Sequence, residues 1–70
     1  MSKQDLQEAI RRFEESTGAK VISVEDWILE YEGQRWRPAK DQAEFFCAVW
    51  DGAPILHINE MAFVLETYHA

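Results

Sequence analysis

Apolar residues recur at three- and four-residue steps in the first part of the chain: Leu6, Ala9, Ile10, Phe13 and Thr17 fall on one face of a helix over residues 2–17. Ser2 with Asp5 three residues on fits a capping box, and Gly18 supplies the left-handed residue that commonly stops a helix. On the polar face, Glu8 can meet Arg11 and Arg12, and Arg11 can meet Glu14 and Glu15.

After Ala19 the pattern turns β-branched and aromatic. Val21, Ile22 and Val24 are followed by Trp27, Ile28, Leu29 and Tyr31, and the pair Gly33-Gln34 suits a tight hairpin turn. That turn sets Tyr31 opposite Trp36, Glu32 opposite Arg35 and Glu30 opposite Arg37; a turn at Glu32-Gly33 sets Glu30 opposite Arg35 instead. Residues 38–42 read as a connection.

Residues 43–50 are apolar on both faces. With Asp51-Gly52 as a hairpin signal and Ala53–Ile58 beyond it, they predict two more strands; Ala43, Phe46, Cys47 and Trp50 also fit a helix over 39–50. Pro54, lacking an N–H, puts the start of the last strand at an edge or outside the ladder. Asn59 can cap a short C-terminal helix whose Met61, Val64, Leu65 and Tyr68 form a stripe, with a strand over 62–68 as the alternative. The expected fold is therefore α+β, a single domain over residues 1–70: an N-terminal helix on a small antiparallel sheet of two hairpins, with a short C-terminal helix.

Composition narrows the class. At 47% hydrophobic and 29% charged the chain is globular in type. Its 70 residues allow only a thin core, and a 13% share of aromatic residues exceeds what such a core readily hides. One cysteine, Cys47, excludes an internal disulfide and a cysteine-rich zinc site. Residues 1–5 run straight into the amphipathic pattern without an apolar leader segment, and no stretch approaches the roughly 20 residues of a membrane span. A soluble, cytoplasmic protein is expected.

Enzymatic constellations are sparse. Ser2, Ser16 and Ser23 lack a nucleophile-elbow context. Cys47 in an apolar run reads as a buried small hydrophobe, His57 as a strand residue, and His69 as inert. No catalytic residue, metal ligand or cofactor is assigned, and the chain is read as no enzyme. Trp27, Tyr31 and Trp36 with Arg35 and Arg37 resemble a stacking platform for single-stranded nucleic acid. A net charge of −6 opposes direct binding to a polyanion, so the three aromatics are read instead as core or as anchors toward a protein partner.

Charge adds the sharpest feature. All seven cations lie at or before residue 40, and residues 41–70 hold five carboxylates with neither Lys nor Arg. Asp41, Glu44, Asp51, Glu60 and Glu66, with the Glu25-Asp26 pair, are the candidate partner-binding acids, expected to form one bare electronegative face toward a basic surface.

A single acidic α+β domain of this size resembles, in size and charge though not by any residue motif, the small inhibitors encoded by phages and mobile elements, including anti-CRISPR proteins, several of which act as DNA mimics. The resemblance implies stoichiometric blocking of a basic, nucleic-acid-binding effector at its DNA-contacting surface, without turnover; a monomer is expected rather than a dimer. The alternative is an adaptor or homodimerising module that buries the 61–68 stripe beside a solvated acidic face.

Overall fold

The computed structural model describes residues 2–69. Along the chain it holds α1 (Lys3–Thr17), β1 (Lys20–Ser23), β2 (Ile28–Tyr31), β3 (Gln34–Pro38), α2 (Gln42–Asp51), β4 (Ile55–Ile58) and β5 (Met61–Leu65). The five strands make one antiparallel sheet in the order β1-β2-β3-β5-β4. The fold class is the α+β arrangement expected.

α1 forms as its sequence dictates. The Asp5 N–H donates to Ser2 Oγ at 3.2 Å while the Ser2 N–H donates to the Asp5 carboxylate, completing the capping box. Gly18, at φ 79°, ends the helix with its N–H on the Glu14 carbonyl. Glu8 bridges to Arg11 and Arg12, and Arg11 reaches on to Glu15. Glu14 does not pair with Arg11: its carboxylate accepts the Val21 N–H at 2.8 Å and so ties α1 to β1.

Three expectations are corrected. The first hairpin sets Leu29 opposite Trp36, Glu30 opposite Arg35 and Tyr31 opposite Gln34. Its loop is thus Glu32-Gly33, with φ of 52° and 77°, both left-handed as a type I′ turn requires. This register pairs Trp36 with Leu29 inside the core, and the indole N–H donates to the Tyr31 carbonyl at 3.2 Å.

Residues 43–50 are helix, not strand. Asp41 caps α2 by accepting the Glu44 N–H at 2.8 Å, and Gly52 (φ 72°) closes it, so Asp51-Gly52 is a helix stop rather than a hairpin turn. The C-terminal helix is absent: 61–65 is β5, joined to β4 through Asn59-Glu60, whose φ of 49° and 68° make a second left-handed turn. β4 lies at the sheet edge, as Pro54 suggested.

The core lies on the sheet face formed by Leu29, Trp36 and Phe63, with Ala19 beside them and Phe13, Val21, Tyr31, Leu56, Ile58 and Leu65 packed around. With Val64 fully buried in β5, no free stripe of Met61, Val64, Leu65 and Tyr68 exists for a dimer to cover.

Candidate protein-docking surface

α2 carries Ala43, Phe46, Cys47 and Trp50 along one side, the very stripe that fits helical spacing. That side faces water. Phe46 is 63% exposed, Val49 52% and Trp50 90%, and Cys47 is exposed, contrary to its expected burial. The side turned to the sheet buries Ala48 and, unusually, Glu44.

An ion pair explains the orientation. Arg37 of β3 grips the Glu44 carboxylate with two N–H···O bonds, at 2.7 and 2.9 Å, and donates a further one to the Tyr68 carbonyl. The Lys40 N–H donates to the same carboxylate at 2.8 Å. These donors hold the Glu44 carboxyl at a pKa of about 2, the Arg37 hydrogen bonds contributing most. Rotating α2 to bury Phe46 and Trp50 would break this pair and leave Arg37 without its carboxylate in a largely buried position. Phe45, beside Glu44, meets the His57 ring edge-on at 6.0 Å between centroids.

The candidate acids do not form one face. Glu44 is consumed by Arg37 and is not displayed. Asp41 is the exposed cap of α2, and Asp51 at the other end accepts the Tyr68 hydroxyl at 2.8 Å. Loss of water around the Tyr68 phenol, together with Asp51, pushes its pKa up to about 12. Glu60 stands on the β4–β5 turn and shares with Asp41 an open cleft of about 460 Å³ floored by Phe45, Met61 and Pro38.

Glu66 follows β5 beside Arg35, whose carbonyl accepts its N–H at 2.9 Å, in a cross-strand row that runs Lys20, Glu30, Arg35. Glu25 and Asp26 lie in the β1–β2 connection, at the sheet edge remote from β4. The negative charge is therefore split among α2 with its neighbouring turn, the Arg35 row and the far connection.

The aromatic anchors also divide. Trp36 is core at 6% exposure, and Tyr31 packs against the core cluster while remaining half-buried. Trp27 is partly exposed and lines an apolar cavity of about 250 Å³ with Leu6, Ile10, Phe13 and Val24. The most exposed large apolar side chains are Trp50, Phe46 and Val49, none of them read from the sequence as an anchor. The available signal was a run apolar on both faces in a chain too short to bury both.

Among the described residues no group of three or more His, Cys, Asp and Glu side chains could hold a metal ion, and no helix is long and apolar enough to cross a membrane. Comparison of the chain with protein-family models, curated proteins and solved structures gives no significant match.

Proposed function

We propose that the chain is a non-enzymatic binding protein that engages a basic protein at its α2 end, in the manner of a stoichiometric inhibitor of a nucleic-acid-binding effector. The observation that carries this reading is the unbalanced charge around α2. Asp41, Asp51 and Glu60 are exposed there with Lys40 as the exposed cation beside the cap, residues 41–70 contribute no Lys or Arg, and Arg37, which reaches in from β3, is already used by Glu44. Such a field speeds encounter with a positive surface and orients it.

The acids act by steering rather than by copying a phosphate backbone. A DNA-like array would need Glu44, Glu66 and the Glu25-Asp26 pair beside the other three, and those sit elsewhere.

Affinity capture from host cells, followed by binding measurements on the purified partner, tests the reading. The partner should be basic, duplex DNA should compete for it, and affinity should fall at least about tenfold when salt is raised from 50 to 500 mM, on the scale of charge screening. The triple variant Asp41→Lys, Asp51→Lys, Glu60→Lys should lower the association rate by a similar factor. Binding indifferent to both salt and charge reversal overturns the proposal.

A further inference from the structure

We infer that α2 is the docking element, inserting Phe46, Val49 and Trp50 into an apolar groove with a basic rim on the partner. The inference rests on the reading above that the partner is a basic protein, and adds where contact is made and by what shape.

Three large apolar side chains at positions i, i+3 and i+4 form one continuous patch on the outer side of α2. Isolated exposed apolar residues are ordinary on small proteins, but Trp50 at 90% exposure flanked by Phe46 and Val49 is a cluster of the residue type that dominates protein interfaces. Ala43 and Cys47 extend the patch along the helix. The Arg37–Glu44 pair holds the opposite side of α2 against β3, with the patch turned away from the sheet. Asp41 and Gly52 cap both ends, so the face is presented already ordered and docking immobilises little further backbone.

Charge and size together select the occupant. The patch is bounded by Asp41 at one end, Asp51 at the other and Glu60 across the adjoining cleft. A second copy of this chain packed face to face would bring those carboxylates against their own equivalents, whereas Arg or Lys on a groove rim would neutralise them. α2 has ten residues. A helix of that length is about 15 Å long. One flat side of it offers a few hundred Å², short of the roughly 800 Å² per partner in a stable interface. A groove that wraps the helix and reaches its acidic flanks supplies the remainder.

The test uses the full chain and two designed helical-hairpin probes, each with a Leu-lined groove, one rimmed with Arg and the other with Glu. The Arg-rimmed probe should bind and shift tryptophan emission to the blue, and the Glu-rimmed probe should bind at least about tenfold more weakly. Trp50→Ala should weaken binding of the Arg-rimmed probe by about thirtyfold, the loss typical of an interface hot spot. Trp27→Ala, at the other exposed tryptophan, should change it less than about twofold.

Equal binding of the two probes, or binding of neither, overturns the inference. So does a dimer in sedimentation equilibrium that Trp50→Ala dissolves, since the occupant is then a second copy. Binding of the captured basic partner that stays salt-sensitive yet ignores Trp50→Ala overturns docking through α2 while leaving the charge reading standing.

Discussion

The two helices use the same devices at their ends and opposite logic in between. Each opens on a side-chain cap, Ser2 or Asp41, and each closes on a left-handed glycine, Gly18 or Gly52. Yet α1 turns its apolar side toward the sheet and keeps its charges outside, where Glu8, Arg11, Arg12 and Glu15 neutralise one another. α2 turns a carboxylate inward and its aromatics outward. Periodicity tells which residues share a side of a helix; which side is buried is decided by what the rest of the fold places opposite, here the guanidinium of Arg37.

The strongest way to break this contrast is to remove the ion pair. Glu44→Gln or Arg37→Ala should cost about 3 kcal/mol in urea unfolding, because either leaves an uncompensated, largely buried partner. That is a large share of the roughly 4–10 kcal/mol expected for a domain of this size. Since the folded carboxyl titrates near 2, below its unfolded value, its stabilisation is complete above about pH 5 and fades as pH falls toward 2. Glu44→Gln should flatten that acid limb. A cost under about 0.5 kcal/mol would mean that the pair does not set the orientation of α2.

A smaller effect should come from the inward side of α1. Phe13 packs against the core cluster while remaining half-buried, so Phe13→Ala should lower stability by about 2 kcal/mol in the same measurement. The smallest should come from the bulkiest residue on α2. Trp50→Ala should change stability by no more than about 0.5 kcal/mol, read as a nearly unchanged melting curve. If it proves as damaging as Phe13→Ala, the outer side of α2 is packed rather than displayed.

α1 was legible in the sequence because period, caps and charge pairs all agreed, and the first hairpin was legible in outline. Its exact register was not, since Gly33 serves equally well as first or second residue of a tight turn, and only burial of Trp36 opposite Leu29 separates the two. Asp51-Gly52 misled for a related reason: a left-handed glycine ends a helix as readily as it reverses a strand. The turn that does join β4 to β5 has no glycine at all, since Asn59 and Glu60 both adopt left-handed angles, and so it carried no conspicuous signal. The site was harder still. Arg37 and Glu44 are seven apart in sequence on different elements, and Trp50 stands on a side of α2 away from where they meet.

The hydrogen bond from Val21 to Glu14 has a further effect, on how the sheet meets other chains. It occupies a main-chain donor on the β1 border, where an incoming strand would otherwise have begun to add. At the β4 border Pro54, ahead of Ile55, lacks an N–H to donate. Each border of the sheet thus carries, in or beside its edge strand, a main-chain position with no free N–H to offer an added strand.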